Sequence, residues 1–149
     1  MIPKTEIYFA SRKSASAHVY ITKGKGKVRI NNVPIEMIEP EIAREVILVP
    51  LEILGEEMRD KIDISVRVKG GGFMGQAYAT ATAISRSLIG STKTKKDPKD
   101  HPFNKSTRQQ LKDKIADYDK YLISGDARRK EPKKFGGSGA RRRKQKSYR

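Results

Sequence analysis

The C-terminal end of this chain is too polar to take part in a folded core. Residues 128–149 carry eleven Lys and Arg side chains against a single acid, Glu131. Such a segment buries too little apolar surface to offset the entropy lost on ordering, so we expect it to be disordered until a partner holds it. The apolar content falls away after Gly125. We therefore predict an α/β core in residues 1–125 and a long, extended, basic tail in residues 126–149.

The excess of positive charge indicates a polyanionic partner. The formal net charge of the 149 residues is +16, and the final 22 residues supply +10 of it. Nucleic acid is the favoured partner, ahead of an anionic membrane. No apolar run approaches the length of about 20 residues that spans a bilayer, and residues 1–6 do not resemble a signal peptide, so we expect a soluble, intracellular protein. The chain has no cysteine, which excludes disulfides, thiolate catalysis and zinc knuckles.

Four segments have the pattern of β-strands. Residues 62–69 alternate apolar and polar side chains without error, and residues 18–23 and 27–31 alternate as well. A shorter strand is expected at residues 7–10. Because Gly24, Lys25 and Gly26 separate the second and third runs, we predict that these two runs form a hairpin.

Helical spacing appears in three further segments. The first contains Pro50, which lacks the N–H that a helix interior needs, so we expect two short helices or a kink at residues 48–50. Its apolar stripe is Ile42, Val46, Val49 and Ile53. A second, alanine-rich helix has the stripe Ala77, Ala81, Ile84 and Leu88. We expect Gly90 to end that helix, residues 91–107 to form a loop, and residues 108–116 to be helical.

A glycine cluster at residues 70–75 matches the G-x-G-x-x-G pattern of dinucleotide-binding turns. That fold places a second buried strand with an acidic residue roughly 20 residues further on, whereas residues 91–98 contain no apolar run. Two other interpretations stay open: a tight turn between strand and helix, and exposed N–H groups that hold an RNA phosphate. We expect Gly72→Ala to disturb folding or RNA docking rather than nucleotide affinity.

No other residues suggest catalysis or metal binding. His18 and His101 lack a metal-ligand spacing, and we interpret both as surface histidines. We interpret the acidic pairs as solvated charges; they are Asp60 with Asp63 and Asp117 with Asp119. Three aromatic side chains are expected in or beside the core rather than as platforms for bases: Tyr8, Phe9 and Tyr20. We predict no enzyme activity and no cofactor.

Several short blocks together resemble one known family. They are residues 11–17 (SRKSASA), 68–72 with 75–77 (VKGGG and GQA), 125–128 (GDAR), and 139–143 (GARRR) with a terminal arginine. Their order and spacing are similar to those of small-subunit ribosomal protein nine, from about residue 6 to the end. The ending QKSYR resembles the archaeal and eukaryotic branch. The bacterial pattern has lysine before the last arginine, so a contact made by that lysine cannot be assigned to Tyr148.

The resemblance implies a fold, partners and site residues. The fold is α+β and two-layered, with about four strands and helices on one face of the sheet. The partners are the 16S-type rRNA of the small-subunit head, neighbouring head proteins and, at the tip of the tail, the anticodon stem-loop of the peptidyl-site tRNA. Tyr148 and Arg149 are then close to tRNA. The implied rRNA contacts are Arg12, Lys13, Arg128, Arg129, Lys130, Lys133, Lys134, Arg141, Arg142, Arg143, Lys144 and Lys146.

Four residues at the end of the clearest strand and in the glycine cluster are added to the candidate rRNA contacts: Arg67, Lys69, Gly71 and Gly72. Two functions of other classes remain as alternatives to a ribosomal protein. One is a nucleotide-dependent transferase that uses the glycine cluster, since a fold alone does not exclude catalysis. The other is a free RNA chaperone or nucleoid protein whose tail binds any polyanion.

Overall fold

The computed structural model describes residues 6–91, 100–144, 146 and 147. It has the predicted α+β class, with a five-stranded sheet and helices. The strands are β1 (Ile7–Arg12), β2 (Ala15–Lys23), β3 (Val28–Ile30), β4 (Val33–Pro34) and β5 (Ile62–Lys69). The helices are α1 (Glu41–Leu54), α2 (Glu56–Arg59), α3 (Phe73–Ile89), α4 (Lys105–Tyr118) and α5 (Tyr121–Ser124), with a 3-10 turn at Ile35–Met37.

The sheet is mixed, with the order β1-β2-β5-β3-β4. All neighbouring pairs are antiparallel except β3 and β5, which are parallel. Alternate side chains of β2 and β5 are buried against the helices, as their alternating sequences predict. Helix α3 packs on β1, β2 and β5, and α1, α4 and α5 contact α3. The alternate residues on the other face of β2 and β5 are exposed or half-buried, and we call this side of the described sheet the open face.

The predicted hairpin between the second and third strands is wrong, because β5 lies between them. The connection passes over the start of β5 instead. Gly24 N–H donates to the carbonyl oxygen of Lys61 (3.0 Å), and the Asp63 carboxylate accepts from the N–H groups of Lys25 and Lys27 (2.9 Å each). These two bonds lower the pKa of Asp63. A glycine-containing turn indicates a change of direction, but it does not reveal a strand that arrives more than thirty residues later.

Helix α1 runs through Pro50, so the expectation of two short helices that meet at residues 48–50 is wrong, and the alternative of a kink there stays a prediction. Proline removes one hydrogen bond from a helix interior. Burial of the apolar face outweighs that loss, because α1 buries Ala43, Ile47, Pro50, Leu51 and Leu54. The chain departs from α1 at Gly55, whose φ is 84°.

Helix α3 is as predicted, and it forms the centre of the helical layer. Small buried side chains on several of its faces allow close packing against the sheet and the other helices; they include Ala77, Ala79, Ala81 and Ala83. Gly90 ends the helix in the left-handed conformation, with φ 72°. The predicted loop at residues 91–107 is shorter than expected at its C-terminal end, since α4 begins at Lys105. Residues 92–99 lie outside the described residues.

His101 is half-buried, not a surface residue as predicted, whereas His18 is exposed. The Nδ1 atom of His101 accepts from the N–H of Phe103 (3.1 Å), so the ring proton is on Nε2, which donates to the carbonyl oxygen of Ser87 (2.7 Å). Burial lowers the pKa of His101. The side chain therefore joins the segment before α4 to the end of α3.

Candidate nucleic-acid interface

The point where the chain leaves the core is held by Arg86 of α3. Its guanidinium donates three hydrogen bonds to backbone carbonyl oxygens: Nε to Ile123 (2.8 Å), Nη1 to Phe9 (2.9 Å) and Nη2 to Ser124 (2.7 Å). The planar, multiply donating group suits this fan of acceptors. Partial burial lowers the pKa of Arg86. Residues 123–128, which we call the tail root, are thereby fixed to α3 and to β1.

A second set of contacts fixes the first charged residues of the tail. Asp126 forms ion pairs with Arg12, at the end of β1, and with Arg128 (2.6 Å). Hydrogen bonds from Arg128, followed by those from Arg12, hold the pKa of Asp126 well below its ordinary value. The Arg12 guanidinium also lies 6.0 Å from the ring centroid of Tyr78. The predicted contacts Arg12 and Arg128 are therefore neighbours, joined by an acid that we had not singled out.

The turn between β1 and β2 lies beside the glycine cluster. Lys13 is exposed at that turn with a φ of 54°. A Cβ atom on Gly70 would come within 2.7 Å of the Ser14 carbonyl oxygen, and one on Gly71 within 2.9 Å of Ala15. Both glycines also have positive φ, 73° and 70°, a conformation that other residues adopt at a cost. The cluster is thus a tight turn with close packing, as one of the two open interpretations requires.

Gly72 differs from the two glycines before it. Its φ is −92°, and a Cβ atom there would meet nothing within 4 Å. The expectation that Gly72→Ala disturbs folding is therefore not supported, and the fold's requirement for glycine lies at Gly70 and Gly71. Gly72 is exposed at the start of α3, so the second interpretation, a phosphate held by backbone N–H groups, remains open for this position.

The topology gives no support to a dinucleotide site. That site needs a parallel strand after the helix that follows the glycines. Here the parallel neighbour of β5 is β3, which precedes it in the chain, and no strand follows α3 within the described residues. The described part of the chain also has no group of three or more His, Asp or Glu side chains that could hold a metal ion.

Lys69 and Arg67 lie on the open face of the sheet. Lys69 is exposed at the end of β5, opposite Ser16 of β2, next to the turn that carries Lys13. Arg67 is two residues earlier, opposite His18, and is also exposed. Six of the predicted rRNA contacts therefore lie at or near one end of the core. We call this surface the basic end: Arg12, Lys13, Lys69, Gly71, Gly72 and Arg128.

The described tail residues, up to 144 and at 146–147, contain no helix or strand. Two of the predicted tail contacts, Lys134 (3.3 Å) and Arg141 (3.1 Å), form ion pairs with Glu131, the acid of this segment. The other predicted tail cations that the structure describes are exposed and have no acidic partner among the described residues. They are Arg129, Lys130, Lys133, Arg142, Arg143, Lys144 and Lys146.

The middle of the tail turns back on itself, which departs locally from an extended chain. The N–H of Lys144 donates to the carbonyl oxygen of Gly136 (3.0 Å), and Gly136 has a φ of 79°. A Cβ atom on Gly137 would overlap the Arg142 carbonyl oxygen. One backbone bond closes this loop. Tyr148 and Arg149, the residues predicted to be close to tRNA, lie outside the described residues.

Comparison with known proteins identifies the family. The profile of the family described as "Ribosomal protein S9/S16" matches residues 10–149. The chain belongs to this family. Among its relatives, small ribosomal subunit protein uS9 of Debaryomyces hansenii is 41% identical over 95% of this chain and 94% of its own length. The corresponding protein of Dictyostelium discoideum is 41% identical over 93% and 89% of the two chains, and uS9A of Saccharomyces cerevisiae is 42% identical over 95% and 94%.

Membership of the S9/S16 family confirms the resemblance inferred from the sequence blocks. The chain is a small-subunit ribosomal protein and a structural constituent of the ribosome, not an enzyme, as predicted. Binding of rRNA is general for such a protein. No helix within the described part of this S9/S16 protein is long and apolar enough to cross a membrane.

Sequence reasoning missed two residues that organise the candidate interface of this S9/S16 protein. Arg86 is a charged residue on the alanine-rich helix, and its i−4 and i+3 neighbours do not indicate that it binds carbonyls from β1 and α5. Asp126 belongs to the GDAR block, and an acid placed two residues before an arginine in a basic tail is a usable signal. Three tyrosines near the tail root were not singled out either: Tyr78, Tyr118 and Tyr121.

Proposed function

We propose that this S9/S16 protein binds and neutralises rRNA in the head of the small subunit, with the basic end of its core on rRNA and its tail threaded through rRNA. Its site is then the cytoplasmic ribosome, which agrees with its eukaryotic relatives. The observation that carries the proposal is the fixed tail root. Arg86 and Arg12 hold the origin of a strongly basic, irregular segment directly beside the basic end of the core.

The division of labour between core and tail follows from charge and burial. Among the described residues, none of the buried apolar side chains that form the core lies beyond Leu122, while residues 128–149 carry +10. Cations that lack acidic partners are available to replace the counterions of a phosphate backbone, and release of those counterions supplies much of the binding free energy. Glycines at 136, 137 and 139 let the backbone pass close to packed RNA.

We also propose that the tip of the tail reaches the peptidyl-site tRNA. The 24 residues from Asp126 to Arg149 span at most about 80 Å when fully extended, at roughly 3.3–3.6 Å each. Opening the loop closed by the Gly136–Lys144 bond requires the loss of one backbone hydrogen bond, which phosphate contacts by the nearby cations can offset. Such a reach takes the tip well beyond the core's own binding surface.

Two truncated or substituted variants separate the roles of the tip and the cluster. Deleting residues 147–149 should leave subunit assembly intact and weaken peptidyl-site tRNA binding. Replacing Arg141, Arg142, Arg143 and Lys144 by glutamine should weaken rRNA incorporation. Both variants are compared with the full chain in reconstituted small subunits at two salt concentrations. Equal tRNA affinity of intact and tip-trimmed subunits would remove the tRNA role while leaving the rRNA role in place.

A free RNA chaperone remains a distinguishable alternative. A structural protein of the subunit should stay with small subunits through a high-salt wash that strips loosely bound basic proteins, because its core and tail are both engaged. Recovery of the chain only in the wash, with subunits otherwise intact, would contradict the proposed function.

A further inference from the structure

A cavity lined by tyrosines lies beside the tail root. Its volume is about 410 Å³. One tyrosine comes from each of three helices: Tyr78 from α3, Tyr118 from α4 and Tyr121 from α5, with exposures of 47%, 65% and 56%. The apolar lining is completed by Val46, Val49 and Leu122. Single exposed aromatic residues are ordinary, but three around one concave apolar surface mark a binding site.

The charged side chains that line this tyrosine pocket cancel, in contrast to those of the tail. Lys120 is not part of the lining, and its Nζ atom lies 5.4 Å from the centre of the Tyr121 ring. Arg12 and Arg128 line it together with Asp119 and Asp126. Asp126 is paired with both arginines. Asp119 accepts the N–H of Tyr121 through Oδ1 (2.8 Å), which leaves further lone pairs of its carboxylate available as acceptors. A neutral lining suits an uncharged, planar ligand with hydrogen-bond donors better than it suits a phosphate.

We propose that the tyrosine pocket receives one unpaired nucleobase of the RNA that this protein binds. The inference rests on the proposed function, since the tail root at the rim of the pocket brings RNA to it. Unpaired bases are recognised by stacking on aromatic rings and on arginine guanidinium planes, and the pocket has both, with Arg12 already 6.0 Å from the centre of the Tyr78 ring. Exposed Arg129 and Lys130 follow directly and can bind the phosphates on either side of the base.

The volume and the hydrogen-bonding groups of the tyrosine pocket limit which bases it can bind. A volume of about 410 Å³ lies at the lower end of the range of about 300–1,000 Å³ for small-molecule sites, so it accommodates one base and excludes a duplex. The Asp119 carboxylate accepts hydrogen bonds and, while ionised, cannot donate them. Adenine, cytosine and guanine each present an amino group that a carboxylate can bind, and uracil presents its imino N–H. The pocket therefore suits a base whose N–H donors face the Asp119 carboxylate.

The test is base-selective chemical probing of rRNA in small subunits that contain the full-length protein. Subunits are prepared with the wild-type chain, with Tyr118→Ala and with Tyr78→Ala. Base–aromatic stacking corresponds to about a 5- to 150-fold change in occupancy for each base, so we expect one unpaired base to gain reactivity at least about fivefold in either alanine variant. Tyr118→Phe keeps the ring and should restore protection. The matched control is Tyr20→Ala, on the open face of the sheet, which should leave that base protected.

Each outcome decides between occupants. If the alanine variants incorporate normally and no base changes reactivity, the pocket does not hold a base. If a neighbouring protein is lost from such subunits instead, a protein side chain fills the pocket, and the inference is equally wrong. Should Tyr78→Ala fail to fold, Tyr118→Ala still tests the inference, because Tyr118 is the most exposed of the three. Failure of the wild-type chain to stay with small subunits at high salt would contradict the proposed function itself, which is a separate result.

Discussion

A hydrogen bond of 2.7 Å joins Arg86 Nη2 to the carbonyl oxygen of Ser124, tying the last turn of α3 to the last residue of α5. The next residue, Gly125, has a φ of 76°, and a Cβ atom there would lie 3.2 Å from the same guanidinium nitrogen. The chain therefore enters the basic tail from a fixed position. If the tail enters packed RNA as we propose, this fixed origin reduces the conformational entropy lost on binding.

Replacing Arg86 by lysine should loosen the tail root. A lysine ammonium cannot reproduce the planar arrangement of three donors in the guanidinium, so at least one of the three carbonyl oxygens loses its hydrogen-bond donor. We expect a loss of about 1.5–3 kcal/mol in the free energy of unfolding, the range for hydrogen bonds to charged groups, and faster amide exchange at residues 122–125. Arg29→Lys, an identical change at an exposed residue of β3, is the control. Equal stability and exchange in the two variants would contradict this role of Arg86.

The glycine turn provides a matched pair of substitutions. Gly71→Ala places a methyl group 2.9 Å from Ala15 at a φ of 70°, and backbone strain of this kind costs about 1–3 kcal/mol. We expect a clear fall in the melting temperature. Gly72→Ala has a φ of −92° and open space, so its melting temperature should be close to that of the wild type. Equal melting temperatures of the two variants would contradict the role of Gly71 in a tight turn.

Gly72→Ala also tests the second interpretation of the glycine cluster. A loss of rRNA binding in this variant without a loss of stability would support a phosphate at the start of α3.

His101 should make stability depend on pH. Because burial lowers its pKa in the folded state, the unfolded chain binds the proton more readily as pH falls through about 6.5, the ordinary value. The contribution of His101 to the free energy of unfolding therefore has its full value above that pH, and it is lost as the pH falls toward the folded-state pKa. Thermal melting at pH 7.5 and 5.0 should show a drop that His101→Gln reduces and His18→Gln, at an exposed site, does not. An unchanged drop in His101→Gln would assign the effect to other groups.

Deleting residues 128–149 should leave the core folded. In the part of the chain that the structure describes, the buried apolar residues all lie at or before Leu122, and Asp126, which pairs with Arg12, is retained. We expect the melting temperature of the truncated chain to match that of the full chain at moderate salt. Near-UV circular dichroism checks that side-chain packing is preserved. A large fall in melting temperature would show that the tail packs on its own core.

The sequence predicted the elements whose information is local. The alternation at residues 62–69 specified β5, and the alanine stripe with Gly90 specified α3 and its end. The pairing of strands was not predictable in the same way, because β5 inserts between β2 and β3 and its hydrogen bonds join residues more than 35 positions apart. The effect of Pro50 was not predictable for a related reason, because α1 is kept continuous by burial of its apolar face in the tertiary structure.

The candidate site also combines features that are local in sequence with features that are not. The basic tail and the family blocks were predictable, since net charge and short motifs are properties of the sequence. The three carbonyl partners of Arg86 come from β1 and α5, and the tyrosine pocket is assembled from three helices. Neither arrangement leaves a local pattern. Only the fold brings these residues together.

The salt dependence of rRNA affinity shows whether the cations of the tail neutralise rRNA phosphates. Dissociation constants of the full chain for small-subunit rRNA are measured over a range of salt concentrations, beside a variant with Arg141, Arg142, Arg143 and Lys144 replaced by glutamine. A control variant replaces four exposed lysines of the core by glutamine: Lys23, Lys25, Lys112 and Lys114. We expect the log–log slope to become less steep by about 0.7–0.9 for each phosphate that the tail variant no longer neutralises, and to change less in the control. Equal slopes for the full chain and the tail variant would contradict the proposed binding of rRNA phosphates by the tail.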